Sequence, residues 1–185
     1  MMKKHLIVAS LAALIVSSAF AGKPGDVGVS LEFGGLKSDA TAKVDGISSD
    51  GDIHTTYEAL RAGKYFDFGR IGGSLGYINE DDGTDGKFVA INYDYMFYNK
   101  SQFTPFVGAS VAYNWNEANY NIKHNGLTYG PEVGVVYDVT KEVELELGAR
   151  YLKSNVDGSK NVSGHRVSLD VDSSVQYYMA IGYKF

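Results

Sequence analysis

The chain is 185 residues long, with 44% hydrophobic and 21% charged residues, a formal net charge of −5 and no cysteine. This length suits one domain or two small ones, and the apolar fraction is too high for a disordered chain. The absence of cysteine excludes disulfides, thiol catalysis and thiolate metal sites. The negative net charge argues against a nucleic-acid binder. The 14 tyrosines and 22 glycines favour long β-strands with one aromatic face.

The first 21 residues have the three-part pattern of a secretory signal peptide. A basic start, Lys3-Lys4-His5, precedes the apolar run 6–16, and Ala19-Phe20-Ala21 forms a small-x-small cleavage site. The apolar run is about half of the ~20 residues that a spanning helix needs, and an uncleaved anchor is the alternative. We predict a signal peptide at 1–21 and one mature domain at 22–185. Removal of the signal peptide takes away two lysines and no acidic residue, so the net charge of the mature domain is −7.

Beyond the signal, apolar and polar residues alternate with period two in eight segments, which predicts eight β-strands. The segments are about 10–14 residues long, whereas a tilted strand needs ~9–11 residues to cross a bilayer and strands of soluble proteins are typically 5–6 residues long. The predicted strands are 26–37, 55–67, 69–79, 87–98, 103–115, 127–139, 142–152 and 171–185.

The connections between these segments alternate in length. Tight turns are predicted near 67–68, 99–101 and 140–141, and long polar loops at 38–54, 80–86, 116–126 and 153–170. Outer-membrane barrels have short periplasmic turns and longer outer loops, and an even strand number closes an antiparallel sheet. The sequence therefore predicts an all-β fold, an eight-stranded antiparallel up-and-down transmembrane β-barrel with extracellular loops and both termini in the periplasm.

The two faces of the predicted strands differ in side-chain size. One face carries bulky apolar residues, and the other carries Gly, Ser, Ala and charges, which fit the narrow interior of an eight-stranded barrel. The bulky face must then point outward, where only lipid accommodates it. Aromatic residues at both strand ends predict two girdles at the membrane interfaces, formed by Tyr77, Tyr113, Trp115, Tyr151, Phe66, Tyr95, Phe97, Tyr137, Tyr183 and Phe185.

Charged residues on the predicted inward face must pair, because an unpaired ion in a low-dielectric interior is strongly unfavourable. We predict an interior network of salt bridges and hydrogen bonds in which two arginines serve the acids. A binding or gating site inside the barrel is the alternative. The predicted members are Glu32, Arg61, Asp94, Glu132, Glu144, Glu146 and Arg150.

On these features the sequence resembles the eight-stranded outer-membrane β-barrels of Gram-negative bacteria, the group that includes the OmpA transmembrane domain and the OmpX- and Ail-like small barrels. The resemblance covers residues 22–185. It rests on the export signal, the eight strands, the alternating loops and the ending 177–185. That ending is similar to the terminal strand that the family presents to the outer-membrane assembly machinery, with Tyr183 and Phe185 as its aromatic signal. Because the sequence ends at Phe185, we expect none of the peptidoglycan-binding domain that follows the barrel in full-length OmpA-type proteins.

The same fold hosts adhesins, structural anchors, small pores and lipid-modifying enzymes, so the resemblance does not select a function. We interpret the protein as a monomeric barrel without cofactor or enzymatic activity. Its loops would meet a host or surface ligand, and outer-membrane lipid and lipopolysaccharide would surround it. The alternatives are a narrow low-conductance pore, a lipid A-modifying enzyme and a secreted carrier with an apolar interior.

No catalytic or metal residue is assigned from the sequence. The acidic run 80–86 is interpreted as a solvated turn, because its spacing does not match a known Ca²⁺ loop. His165 and Ser168 would point to opposite faces of a strand, which does not fit a nucleophile and its base.

Overall fold

The computed structural model describes residues 26–81, 84–118, 122–162 and 165–185. Eight antiparallel strands form one closed barrel, in which each strand pairs with its neighbours in the chain and β8 closes onto β1. No helix in these ranges is long and apolar enough to cross a membrane. The strands are β1 Val27–Val44, β2 Ile47–Phe66, β3 Gly69–Asp81, β4 Thr84–Met96, β5 Phe103–Ala118, β6 Ile122–Asp138, β7 Val143–Val162 and β8 His165–Lys184.

The predicted fold class is confirmed, but the prediction of long loops was wrong. The segment 38–54 is a hairpin, in which β1 and β2 continue to Val44 and Ile47. Asp45 and Gly46 join them with φ angles of 49° and 88°, the geometry of a tight two-residue hairpin turn. Most of segment 153–170 lies in β7 and β8 in the same way. The predicted loops 80–86 and 116–126 are also shorter, because strands extend into both.

These extensions give the barrel a high side and a low side. β2, β7 and β8 have 20 residues each and β1 has 18, whereas β3 and β4 have 13 each. We call the extended part, residues 38–54, 153–162 and 165–172, the wall, and the end of the barrel that carries it the upper end. Polar residues occupy both faces of the wall, so the alternation that marks a half-buried strand is lost there.

The strands are staggered around the barrel. A path across paired residues starts at Val29 in β1, passes Ala62, Gly73, Ile91, Val111, Tyr129, Lys153 and Ser173, and returns to β1 at Asp39. The path thus rises by ten residues per turn, or about one and a quarter residues per strand, as expected for tilted strands. This stagger allows residues on different strands to be compared in height.

The bulky faces of the strands point outward. In β8, Tyr177, Met179 and Ile181 are 65%, 58% and 51% exposed. A band of exposed aliphatic and aromatic side chains therefore covers the outside of the barrel, as in a barrel that faces hydrocarbon. Lys64 and Glu58 also lie on the outward face of β2, near the lower and upper ends of this band.

Large rings fill the interior where the opposing residue is glycine. A Cβ on Gly34 would lie 2.6 Å from Cζ of Tyr57, and a Cβ on Gly134 would lie 2.5 Å from Cζ of Phe106. The expectation of only small and charged residues inside was therefore incomplete. The interior also holds aromatic rings, because glycine on a neighbouring strand makes room for each one.

Candidate functional site

The charged residues of the lower and middle interior form one connected cluster, which we call the plug. All seven residues of the predicted network are buried, and the structure adds an eighth. The eighth, Arg70, follows directly after the turn at 67–68 and points inward between Tyr65 and Asp94. The plug consists of Glu32, Arg61, Arg70, Asp94, Glu132, Glu144, Glu146 and Arg150.

Arg150 joins the carboxylates in the upper part of the plug. Its two terminal nitrogens donate to the two oxygens of Glu32 at 2.6 and 3.0 Å, and Nη2 also donates to Glu132 at 3.0 Å. Two parallel charge-assisted bonds of this kind fix both direction and distance. Strands β1, β6 and β7 are thus tied together across the interior.

Glu146 is the centre of the lower part of the plug. It accepts hydrogen bonds from Arg61 at 2.8 Å and from Arg70 at 2.6 Å. Arg61 continues to Glu32 at 2.9 Å, while Arg70 donates through Nε and Nη2 to Asp94 at 3.0 and 2.8 Å. The sequence prediction had assigned the pairing to Arg61 and Arg150. Three arginines share it.

Five carboxylates face three guanidinium groups, and uncharged donors bind several of the remaining carboxylate oxygens, while Asp94 Oδ1 and Glu144 Oε2 accept no hydrogen bond from any described residue. The Tyr57 hydroxyl donates to Glu32 at 2.7 Å and the Tyr65 hydroxyl to Glu144 at 2.5 Å. Tyr178 donates to both Glu132 and Glu146. Glu144 also lies 3.5 Å from the ammonium group of Lys184. Hydrogen bonds to the remaining carboxylate oxygens are what make a buried charged cluster tolerable.

The plug leaves almost no free volume in the lower interior. The void among its side chains, next to Asp94 and Glu144, is about 10 Å³, roughly the space of one water molecule. Below it, Tyr65, Met96, Phe106 and Val136 form a small apolar cluster. The described plug side chains are therefore closely packed around this void.

The upper interior has a different chemistry, and we call it the vestibule. A cavity of about 80 Å³ lies there, and its lining includes no charged side chain. On its lining, Asn114 of β5 donates to Thr128 of the neighbouring strand β6 at 3.0 Å. The vestibule is lined by Leu36, Ser38, Ile53, Thr55, Ile78, Asn114, Asn116, Thr128, Ser154, Val156, Val171, Ser174 and Gln176.

The outer face of the wall and of the strands that lead into it carries exposed ion pairs. Lys37 lies 2.9 Å from Asp52, and the hydrogen bond from its ammonium group lowers the pKa of that carboxyl. Lys43 lies 2.9 Å from Asp170, and this bond raises the pKa of the lysine. Ser173 donates to Asp39 at 2.8 Å. These pairs connect β1 with β2 and β8 on the outer face of the barrel.

The aromatic residues of the two predicted girdles lie on outward positions, most of them near strand ends, while Tyr151 lies in the middle of β7 because that strand continues to Val162. Several of them pack in pairs, such as Tyr95 with Phe97 at 5.2 Å between ring centres and Tyr113 with Trp115 at 4.7 Å. Tyr183 and Phe185, the predicted assembly signal, also pack together, at 5.0 Å. Their outward positions suit amphipathic rings at a membrane interface. Recognition of the last two residues by the assembly machinery stays a prediction.

The family model of the Opacity family porin proteins matches residues 57–175. The chain belongs to this family. No curated protein matches it.

The chain is similar in fold to two solved outer-membrane proteins. OprG from Pseudomonas aeruginosa has 20% identity and a TM-score of 0.64, over 89% of this chain and 98% of OprG. Neisserial surface protein A has 18% identity and a TM-score of 0.57, over 82% of this chain and 96% of that protein. At these identities the similarity establishes the fold, which is that of small eight-stranded outer-membrane barrels.

Several hypotheses from the sequence fall on parts that the structure leaves undescribed. The signal peptide at 1–21 precedes the described residues, and residues 82–83 of the acidic run are outside them. The backbone of His165 begins β8, but its side chain is not described, so the pairing with Ser168 stays untested. In the described part of the chain, no three His, Asp or Glu residues are grouped to hold a metal ion.

Proposed function

We propose that this barrel carries the wall on the outer surface of the bacterium and that the wall is its interaction surface. The observation that carries this proposal is the difference in strand length, 18–20 residues on the high side and 13 on the low side. A tilted strand needs only ~9–11 residues to cross the membrane. About half of each long strand is therefore available outside the membrane.

The exposed face of this surface is polar and mostly acidic. Its outward carboxylates outnumber its lysines, and Lys43 is already paired, as is Lys37 just below the wall. Such a surface suits a partner with a basic, polar face, because complementary charge steers association and excludes other partners. The outward carboxylates are Asp39, Asp50, Asp52, Asp170 and Asp172.

The filled plug supports a structural and surface role rather than a pore. Conduction needs a continuous polar path, and paired charges with a void of about 10 Å³ leave room for roughly one water molecule. The family is described as porins, so planar-bilayer conductance is the direct comparison. We expect currents at the baseline of a protein-free bilayer.

The test of the wall is a pair of register-matched deletions. Removing 41–44 with 47–50 shortens the β1–β2 hairpin by four paired positions and keeps the Asp45-Gly46 turn. Removing 159–162 with 165–168 does the same for the β7–β8 hairpin. Both deletions preserve the alternation of faces. We expect each shortened barrel to fold, as judged by heat-modifiable migration on a gel.

Adherence of expressing bacteria to cultured epithelial cells is the readout. We expect it to fall to the level of bacteria that lack the protein when both hairpins are shortened. Bacteria that express the full-length barrel are the reference. Unchanged adherence with a folded, surface-located deletion variant would contradict the proposal, as would stable conductance steps from the full-length barrel.

A further inference from the structure

Three outward-facing lysines lie at one height on the barrel. Lys37 is on β1, Lys87 on β4 and Lys153 on β7, and all three are exposed. Lys153 lies on the staggered path, two strands before that path returns to β1 at Asp39. The path rises by about one and a quarter residues per strand, so Lys153 lies about two and a half residues lower than Asp39. This height corresponds to a position between 36 and 37 on β1, next to Lys37.

The same reasoning places Lys87 at this height. Ile91 lies on the path three strands after Val29, and Lys87 is four residues above it, because β4 runs downward. The stagger adds almost four residues over three strands, so Lys87 also matches a position between 36 and 37. We call the set of Lys37, Lys87 and Lys153 the lysine ring.

Aromatic residues flank two of the three lysines. Lys87 is paired across the strands with Tyr77 and Trp115, and Lys153 with Tyr129. Amphipathic rings occupy the headgroup level of a membrane, and lysines with apolar stems extend their ammonium groups to the same level. The ring therefore lies at the height of the lipid headgroups, at the top of the outward apolar band.

Outward carboxylates of the wall lie above the lysine ring. Asp39 is two residues higher than Lys37 on the same face and is paired in register with Asp52. The Lys37–Asp52 pair is about half exposed on both sides, and the ammonium group has three donors, so it can also bind a second anion. Going upward, the outer surface is thus apolar, then basic, then acidic.

An open groove lies directly below Lys37. It has a volume of about 500 Å³, and its lining is mostly apolar, with Phe33, Gly35, Tyr177 and Met179, while Glu58, Thr56 and Asn79 also border it. A Cβ on Gly35 would find nothing within 4 Å, so the absence of a side chain there keeps the groove open. Its mostly apolar lining and its position below a cation suit an acyl chain attached to an anionic headgroup.

We propose that the lysine ring binds the phosphate groups of lipid A in the surrounding leaflet, and that the groove at Gly35 holds one of its acyl chains. The inference rests on the proposed orientation, with the wall outside the cell. Ammonium groups at headgroup height pair with phosphate through charge-assisted hydrogen bonds. Lipid A combines such phosphates with several chains, which matches the order of basic and apolar surface.

The test measures lipid binding to the purified full-length barrel in detergent by native mass spectrometry. The probes are bisphosphorylated lipid A, the same lipid after removal of its phosphates, and inorganic pyrophosphate. The variant Lys37→Gln/Lys87→Gln/Lys153→Gln is compared with Lys43→Gln/Lys100→Gln/Lys141→Gln, which removes the same charge from the wall and the lower turns. Heat-modifiable migration confirms that both variants fold.

We expect the ring variant to bind bisphosphorylated lipid A at least about tenfold more weakly than the wild type, since each lysine contributes at a charged lipid surface. The control variant keeps its affinity. Gly35→Leu, which fills the groove without changing charge, weakens binding of both forms of lipid A. Dephosphorylated lipid A binds the wild type and the ring variant equally and weakly.

Three results would overturn the inference. They are equal loss in the ring and control variants, equal binding of phosphorylated and dephosphorylated lipid A by the wild type, and full displacement by equimolar pyrophosphate, which means an adventitious ion only. The wall deletions leave all three lysines in place. Loss of adherence therefore tests the wall, and loss of lipid A binding independently tests the lysine ring.

Discussion

The plug and the vestibule lie in one interior, on the same eight strands, and obey opposite rules. In the plug, buried charges contact each other through hydrogen bonds of 2.6–3.0 Å and leave about 10 Å³ of free volume. In the vestibule, neutral polar and aliphatic side chains surround about 80 Å³. The alternation of faces thus decides which residues point inward. Their height along the barrel axis decides whether they are paired charges or neutral polar groups.

The difference has a physical origin in the surroundings of each region. The plug lies at the height of the outward apolar band. The low dielectric constant of these surroundings strengthens the attraction between paired charges and makes unpaired charges costly. The vestibule lies at the height of the lysine ring and opens toward the wall. Neutral hydroxyl and amide groups cost less to leave without a protein partner than ions do, so a connected network is unnecessary there.

The largest effect in this comparison is expected from loss of one plug arginine. Arg150→Ala leaves Glu32 and Glu132 without their shared cation, and removal of one partner from a buried pair destabilises by about 3–5 kcal/mol. Lys153→Ala removes a cation from the same strand on the outward face and is the matched control. The measurement is equilibrium unfolding of the refolded barrel in denaturant.

Glu146→Ala tests the same network by removing one of its acids, because Arg61 and Arg70 then lose the carboxylate that they share. We expect a loss similar to that of Arg150→Ala. If both variants unfolded at the wild-type midpoint, the plug would be a passive filling of the interior. The distinction between plug and vestibule would then disappear.

How much of the plug the sequence could predict follows from what alternation contains. Period two places Glu32, Glu146 and Arg150 on the inward face, and charge chemistry then requires pairing. Arg70 was missed because it directly follows a turn and stands among glycines, where the apolar face is short. The signal that could have found it is its place on the same face as Gly72 and Ser74, which are inward residues.

The sequence could not predict the wall or the packing of aromatic side chains over glycines, for two different reasons. Strands outside the membrane have polar residues on both faces, so 38–54 has the pattern of a loop. Gly134 contacts Phe106 because the register of β5 and β6 places the two residues opposite each other. A single sequence fixes the faces of a strand but leaves its register with the neighbour open.

A second, smaller effect is expected from two adjacent glycines on opposite faces of β1. A Cβ on Gly34 would lie 2.6 Å from Tyr57 Cζ and 2.8 Å from the Tyr177 carbonyl oxygen, whereas one on Gly35 would meet nothing within 4 Å. We expect Gly34→Ala to destabilise the barrel by about 1–3 kcal/mol through overpacking.

Gly35→Ala is the matched control, because alanine is favoured over glycine in a strand by about 0.5–1 kcal/mol. Thermal unfolding of the two variants in the same detergent gives the comparison. A destabilisation by Gly35→Ala equal to that by Gly34→Ala would mean that backbone flexibility, rather than the space under Tyr57, sets the requirement for glycine.

The smallest effect is expected in the vestibule. Thr128→Val removes the hydroxyl that accepts the hydrogen bond from Asn114 at 3.0 Å and keeps the shape of the side chain. A neutral hydrogen bond contributes about 0.5–1.5 kcal/mol, and water in an open cavity replaces part of it, so we expect a loss near the lower end. The measurement is the same denaturant unfolding that is used for Arg150→Ala. A loss as large as that of the arginine variant would show that the vestibule is a closed, dry part of the core, and its neutral side chains would then be as tightly constrained as the charges below them.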